Sequence, residues 1–484
     1  MSAWAEFKKL LGITPVDIER LNRAALQAPL APKVSIKKIP DIEVTEEYSQ
    51  IMSWLEAKAP IIFVTGKAGT GKTTLIRYIR AQFQSSAVVV APTGVAALHV
   101  NGATIHSFFR FPPKVVTDDD IKLVRDRKLY RKMSLLIIDE ISMVRAEVID
   151  AVDKFLRINR ESNEPFGGVQ LLLVGDLFQL PPVLGRNEIG ALKMMGYESP
   201  YFFSAKIFKK CSLISKELTK IFRQSDETFI TILNRIRGAD LLDDVLPLLN
   251  RRSLSLEQVG NSIITLACTN GVADAINDRE LRKLSTPIRT FMGEVSGKFT
   301  VEDAKLPSPI NLSLKVGAQV MFTKNDEKRR WVNGTLGRVV GLSDAAIRVE
   351  VGDDNQKDIH EVQQVKWESF QYKYDETQDK ITSVSTGTYR QYPLMLAWAV
   401  TIHKSQGKTL EKVRVDLGKG AFDYGQVYVA LSRCRSLEDI HLVRPVRRQD
   451  VKCDPVIKRF YSALAGENSR NDLHYVSEED IELV

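Results

Sequence analysis

The sequence predicts an α/β fold of two units, each a parallel sheet covered on both faces, with a small β-rich domain inserted into the second. Three observations lead to it. Short strands that are apolar throughout, at 61–66, AVVVAP at 87–92, LLIID at 135–139 and VQLLLVGD at 169–176, alternate with helical patterns, as strands buried on both sides do. A second set begins near Cys211 with LISKEL, continues through SIITLACTN at 262–270, and resumes at VRVDLG, 413–418, and IHLVRP, 440–445. Between Asn311 and Pro393 the texture changes to alternating strands such as IRVEVG and KWESFQYKY, with turns such as Val332-Asn333-Gly334-Thr335. That stretch reads as an inserted β-barrel.

Along the chain, residues 1–45 form an N-terminal extension, a short amphipathic helix followed by the linker APLAPKVSIKKIP. Residues 46–210 make the first α/β domain, with a small insertion near 107–131. Residues 211–310 and 394–445 make the second, 311–393 the inserted domain, and 446–484 a C-terminal extension.

The 484 residues are 44% hydrophobic and 26% charged, ordinary for a globular protein of several domains. Cys211, Cys268, Cys434 and Cys453 are far apart and form no Cys-x-x-Cys pair, so neither a zinc site nor a disulfide framework is indicated, and a reducing compartment fits. No run reaches the roughly 20 apolar residues of a membrane span, and MSAWAEFKKLLGITP lacks a signal peptide's apolar core and cleavage site. The expected location is intracellular, cytoplasmic or nucleoid-associated. A net charge of +8, from 68 basic and 60 acidic residues, is a weak vote for a polyanionic partner.

The chemistry starts in IIFVTGKAGTGKTTLIRYI, 61–79. Gly66, Gly69 and Gly71 let backbone N–H groups turn inward around phosphate oxygens, and the helix starting near Lys72 points its positive end there. Ala68, Thr70 and Thr74 complete the cradle, Lys72 reaches the β and γ phosphates, and the Thr73 hydroxyl is a ligand for Mg²⁺. A plain strand-to-helix turn leaves Lys72 and Thr73 unexplained.

LLIIDEIS, 135–142, places Asp139 and Glu140 at the carboxyl end of an apolar strand, the edge of a parallel sheet where ligands bind. Asp139 is the expected Mg²⁺ partner, and Glu140 orients and activates the attacking water. In LLLVGDLFQLPPV, 171–183, Gln179 is a candidate γ-phosphate sensor and Pro181-Pro182 fixes the departing chain; an ordinary strand exit competes with that reading.

Together these segments resemble superfamily 1 DNA helicases of the Pif-one (petite integration frequency) group, related to RecD-type enzymes. GKAGTGKT at 66–73, APTGVAA at 91–97, GATIHSFF at 102–109, DEISM at 139–143 and GDLFQLPPV at 175–183 follow one another as in that family. So do LTKIFRQ at 218–224, TIHKSQGKTL at 401–410 and YVALSRCRS at 428–436. EVIDAVDKFLR followed by PFGGVQL looks like the signature separating this group from its relatives.

The resemblance implies two RecA-like P-loop domains in tandem with an inserted SH3-like β-barrel, ATP and Mg²⁺ as cofactors, and DNA-stimulated hydrolysis that drives 5′-to-3′ movement on single-stranded DNA and duplex unwinding, in replication, repair or recombination. It implies arginine fingers at Arg223 and Arg433 in the second domain, nucleotide contacts at Gln406 and Gly407, and an adenine-reading Gln50, for which a solvent-facing glutamine is a competitor. DNA contacts are implied at Thr93, Gly94, His106, Ser107 and Phe108, and in the second unit at Thr269, Asn270, Thr401, His403, Lys404 and Ser405. Hydroxyls and amides suit phosphates, and aromatics suit stacked bases; Phe108 and Phe109 fit a core equally well. FRFPPK, 109–114, is either a duplex-splitting wedge or an exposed loop stiffened by prolines. The run Lys324, Lys328, Arg329, Arg330, Trp331 either meets phosphates or is a solvated turn.

The expected partners are single-stranded, tailed or forked duplex DNA, with no membrane. The expected state is a monomer in solution with room for self-association on DNA. A nucleotide-gated DNA-binding or remodelling ATPase without processive unwinding, and an RNA helicase of the same superfamily, are the competing functions.

Overall fold

The computed structural model describes residues 42–83, 86–211, 213–253, 263–299, 306–343, 345–352 and 357–468. The helix and linker expected within residues 1–41, and the chain beyond 468, lie outside the described residues. Strands β1 (Ile61–Gly66), β2 (Ala87–Ala91), β3 (Ala103–Thr104), β4 (Leu135–Ile138), β5 (Gln170–Val174) and β6 (Ile214–Leu218) form one parallel sheet. Their order is β3-β2-β4-β5-β1-β6. Every residue of β1, β2 and β4 is buried, so helices must cover both faces. Glu46–Glu56 and Lys72–Gln82 supply one layer through Tyr48, Ile51, Leu55, Leu75 and Ile79. Ala146–Arg160 supplies the other through Ile149, Val152, Phe155 and Leu156.

Strand β6 corrects the expected boundary at residue 211. LISKEL pairs in parallel with β1, Val64 opposite Lys216, and so belongs to the first unit. It is a half-exposed edge strand of the charged kind that ends a sheet, and nothing in its residues says which sheet it edges.

Strand β7 (Ile264–Ala267) opens the second unit. The chain then leaves it for antiparallel strands: β8 (Arg289–Met292), β9 (Glu294–Gly297), β10 (Asn311–Leu314), β11 (Gln319–Phe322), β12 (Leu336–Leu342), β13 (Ile347–Gly352), β14 (Lys357–Val362), β15 (Val365–Asp375), β16 (Lys380–Gln391) and β17 (Leu394–Leu396). One sheet runs β14-β13-β12-β11-β17 and another β15-β16-β9. Antiparallel pairing begins at β8, which pairs with β10, so the insertion starts before the expected residue 311. Strands β18 (Ala399–Thr401), β19 (Val413–Asp416) and β20 (Ile440–Leu442) return to complete a second parallel sheet, β18-β7-β19-β20.

Two segments tie the later chain back to the first unit. The β15–β16 hairpin sends Tyr372 and Ile381 into the first unit's core; the Tyr372 hydroxyl accepts from the Val89 N–H at 3.1 Å and donates to the Val89 carbonyl at 3.2 Å. Ion pairs Lys132–Asp379, 2.6 Å, and Lys128–Glu376 flank it. The helix Pro455–Asn468 packs Ile457, Phe460 and Tyr461 against the same core, so part of the C-terminal extension is a structural piece of the first unit.

Candidate nucleotide site and nucleic-acid interface

The loop after β1 has the backbone a phosphate cradle needs. Gly69 and Gly71 lie at φ +83° and +85°; a Cβ on Gly69 would come 2.5 Å from the Arg223 Cβ, and one on Gly71 would come 2.7 Å from the Tyr48 hydroxyl. Lys72 turns its ammonium onto the carbonyls of Gly66, 2.6 Å, and Lys67, 2.9 Å. Burial pulls the ammonium below its ordinary value, against Asp176 and Glu140, which favour the charge.

Asp139 and Glu140 leave the carboxyl end of β4 beside this loop. Glu140 sits at φ +49°, a left-handed conformation that costs a non-glycine residue of order 1–3 kcal/mol and concentrates at functional sites. Burial, and then the Glu140 charge, hold the Asp139 carboxyl well above the usual carboxylate range. Burial also raises Glu140, with Lys72 and Arg433 opposing it. Carboxyls held up in this way suit a site completed by a cation.

The second unit reaches into the cleft. Gln406 Nε2 donates to Glu140 at 3.2 Å and lies 3.5 Å from the Gln179 side-chain oxygen. Arg433, 1% exposed, is clamped by the carbonyls of Val429, Ser405 and Lys408 and by the Ser432 hydroxyl. Burial, then the neighbouring Arg223, push its guanidinium down to about 9. Arg223 donates to the Ser432 carbonyl at 3.1 Å, and burial lowers it too. Arg433 is buried and the adjacent Arg223 half-buried, and among the described residues no carboxylate is hydrogen-bonded to either, an arrangement a bound polyphosphate would neutralise. Arg223 lies on the segment crossing from β6 to the helix Glu227–Gly238, rather than within the second unit as expected.

Comparison with known proteins places this architecture. Residues 43–244 match a family described as PIF1-like helicase, and residues 369–471 match one described as Helicase. The human ATP-dependent DNA helicase PIF1 is 35% identical over 87% of this chain and 64% of its own length; the chain thus spans a little under two thirds of that relative. The ATP-dependent DNA helicase Pif1 of Bdellovibrio bacteriovorus is 32% identical over 88% of this chain and 93% of its own. The chain belongs to the PIF1-like helicase family. Among solved structures, Bacteroides sp Pif1 in complex with ADP-AlF4 aligns with TM-score 0.79 and 38% identity over 89% of this chain and 98% of that one. Bacteroides Pif1 bound to ssDNA aligns with TM-score 0.65 and 38% identity over 88% and 98%.

Within this family frame several expectations need correction. Gln50, the expected adenine reader, lines a groove with Trp54, Ser215, Lys216 and Glu217. Two residues along a helix turn a side chain about 200° away, and it is Tyr48 that faces the loop, its hydroxyl donating to the Gly71 carbonyl at 2.8 Å. Phe108 is core, edge-on to Phe109, Tyr130 and Tyr372. Phe111, in the segment read as a wedge or an exposed loop, is likewise buried, stacked on Phe109 and edge-on to Phe155; each such ring contributes about 1.5–3 kcal/mol by burial. Trp331 is buried on Phe322 at 4.3 Å, Arg330 is paired with Asp326 at 2.7 Å, and Lys324 donates to the Lys366 carbonyl at 2.7 Å, so of that basic run Lys328 and Arg329 are the cations left projecting.

The threonines expected on DNA phosphates have a local job. Thr93, Thr269 and Thr401 each cap the helix that follows a strand, accepting from Ala96, Val272 and Lys404 N–H, the usual work of a threonine there. Ser405 is fully buried and donates to the Ile402 carbonyl at 2.7 Å, so its hydroxyl is not on a DNA surface. Gly94 and Ser107 line one groove with Thr104, Phe299 and Phe370. Asn270 and Lys404 are exposed, and His106 and His403 half-buried.

Sequence reasoning missed Tyr48, Phe222, Asp176, Arg237 and Tyr428. Phe222 is 49% exposed and borders Gly71. Tyr428 accepts from the Ala68 N–H at 2.9 Å. Arg237 carried a readable signal: it follows Phe229 and Leu233 at steps of four, a cation on the helix's apolar stripe.

Proposed function

We propose that this chain is an ATP-dependent DNA helicase that moves 5′ to 3′ on single-stranded DNA and unwinds duplexes, its two parallel-sheet units acting as RecA-like halves and its insertion as an SH3-like domain over the DNA. The carrying observation is the composite site: Gln406 from the second unit bonds Glu140 of the first, next to the buried Arg433 and the half-buried Arg223, neither hydrogen-bonded to a carboxylate among the described residues. The relatives' names, the ADP-AlF4 complex and the ssDNA complex of Bacteroides Pif1 support nucleotide and DNA as ligands; polarity rests on the family resemblance.

The left-handed glycines, Lys72, and the raised Asp139 fit a nucleotide with its cation. Thr73 and Asp139 would hold Mg²⁺, which would supply positive charge against the phosphates. Lys72 binds those phosphates, Gln179 orients the terminal one, and Glu140 takes the proton of the attacking water. Arg223 and Arg433 stabilise the charge on the transferred group, and Phe222 offers a ring for the base. Gly94, His106 and Ser107 on one unit, and Asn270, His403 and Lys404 on the other, are the proposed grips on the strand.

Among the described residues no helix is long and apolar enough to cross a membrane. A structure of two coordinating Pif1 helicases at forked dsDNA supports self-association of this chain on forks.

The test is ATP hydrolysis with and without single-stranded DNA, then unwinding of duplexes bearing a 5′ or a 3′ tail. Stimulation by DNA and a need for the 5′ tail are expected. A need for the 3′ tail overturns the polarity; preference for RNA tracks, or stimulated hydrolysis without strand separation, overturns the substrate or the motor.

A further inference from the structure

Besides Arg433, a second arginine of the second unit reaches the first. Arg237, near the end of the helix Glu227–Gly238, donates Nη2 and Nε to Asp176 Oδ1 at 2.9 and 3.2 Å. Asp176 follows β5 and is fully buried, while Arg237's side chain is 11% exposed. Burial would raise the Asp176 carboxyl, but Arg237 and Lys72 overcome it and hold it below its ordinary value. The guanidinium is packed 4.2 Å over the Phe178 ring and 5.8 Å from Tyr461, whose own ring stacks on Phe178 at 4.9 Å.

The carboxylate holds more than its counter-ion. Asp176 Oδ2 accepts from the Tyr428 hydroxyl at 3.2 Å and from Gln179 Nε2 at 3.4 Å, and Oδ1 accepts from the Phe178 N–H at 3.2 Å. Tyr428 in turn accepts from the Ala68 N–H of the phosphate loop at 2.9 Å. Gly425, at φ +70°, brings the second unit so near that a Cβ there would collide with the Phe178 and Gln179 carbonyls. One buried carboxylate therefore joins the γ-phosphate sensor, the phosphate loop and two side chains of the opposite unit.

We propose that Arg237 is a positioning residue for ATP hydrolysis: by orienting and neutralising Asp176 it sets Gln179 and the Ala68 amide for reaction only while the two units are closed. The proposal rests on the helicase reading and adds to it the element that makes hydrolysis sense closure. Separation of the units removes Arg237 and Tyr428 together, leaving Asp176 an unpaired buried charge that draws in water. Gln179 then loses its anchor.

A purely structural ion pair would give the same single-variant phenotype, so the decisive protein is the full chain carrying Asp176→Leu with Arg237→Met. An apolar pair of similar volume commonly keeps the stability of a buried salt bridge but anchors nothing. With saturating single-stranded DNA we expect near-wild-type melting, a kcat lower by about a hundredfold, as for a misplaced reacting group, and a KM for ATP within about threefold of wild type. Tyr428→Phe, which deletes one hydroxyl, carries the test if the apolar pair does not fold, with an expected kcat loss of about tenfold. Wild-type kcat in the folded double variant, or in Tyr428→Phe where the double variant is unfolded, overturns the proposal. Absence of DNA-stimulated hydrolysis in the wild-type chain overturns instead the helicase reading and takes this proposal with it.

Discussion

The interdomain cleft treats its arginines in two opposite ways. Arg223 and Arg433 sit side by side, bonded to carbonyls and a hydroxyl, each pulled below the usual guanidinium range by burial. Arg237 is mostly covered too, yet Asp176, with Tyr428 and Tyr461, more than offsets its burial and raises it. On the proposed function, the first pair is the one whose counter-charge a bound nucleotide would bring. The other is complete before any ligand arrives. A charge without its counter-ion marks where chemistry happens; a charge with one marks what holds the chemistry in place.

The largest effect should come from the uncompensated pair. Arg433→Ala should lower DNA-stimulated kcat by about a thousandfold or more, the usual loss for an arginine finger. It should also abolish the rise in melting temperature that ADP with fluoroaluminate gives the wild type. A variant that keeps that rise would mean the phosphate is met elsewhere.

Glu140→Gln comes next, with about 10²- to 10⁴-fold lower turnover but wild-type thermal stabilisation by ATP, because it leaves the phosphate loop and both arginines untouched. Normal turnover would move the base to another group.

Lys408, buried beside the cleft where its carbonyl accepts from Arg433, tests whether another buried cation behaves alike. Burial, with repulsion from Lys404, pulls its ammonium from 10.5 to about 8. Between those values the unfolded chain holds the extra proton, so stability should rise with pH through that window and be least below it. Lys408→Met should raise the melting temperature at pH 7 and flatten the rise; an unchanged slope in thermal melts from pH 7 to 10 would show that the ammonium has a partner.

The smallest effect belongs to the completed side. Tyr461→Phe removes a 2.6 Å hydroxyl contact with Thr65 and should cost about 1 kcal/mol of stability, measured by denaturant titration, with little change in turnover. A kcat loss equal to that of Tyr428→Phe would draw the C-terminal helix into the hydrolytic unit.

The phosphate loop, Asp139-Glu140 and the strands bearing them were legible because each is local: apolar runs, glycines at fixed spacing, carboxylates at a strand end. Gln406 and Arg433 came through the motifs' order. What escaped depends on distance or phase. β6 shows only a half-exposed edge. Gln50 and Tyr48 differ by two positions on one helix, and only the packing of Tyr48 against the loop decides between them. Phe108 read equally as a base-stacking ring or as core, and Phe111 as part of a wedge or an exposed loop, until Tyr130 and Phe155 close around them. Asp176 and Arg237 lie on different units, and their pairing leaves no mark in either segment beyond a cation on an apolar stripe.

The β15–β16 hairpin has a mechanical meaning. Its tip is riveted to the first unit through Tyr372 and the Lys132–Asp379 pair, while its root feeds through β17 into β18 of the second. The insertion is thus a strut pinned at both ends. When the cleft breathes, such a strut converts a change of angle between the lobes into bending along its own length. The insertion then cannot ride passively on either lobe.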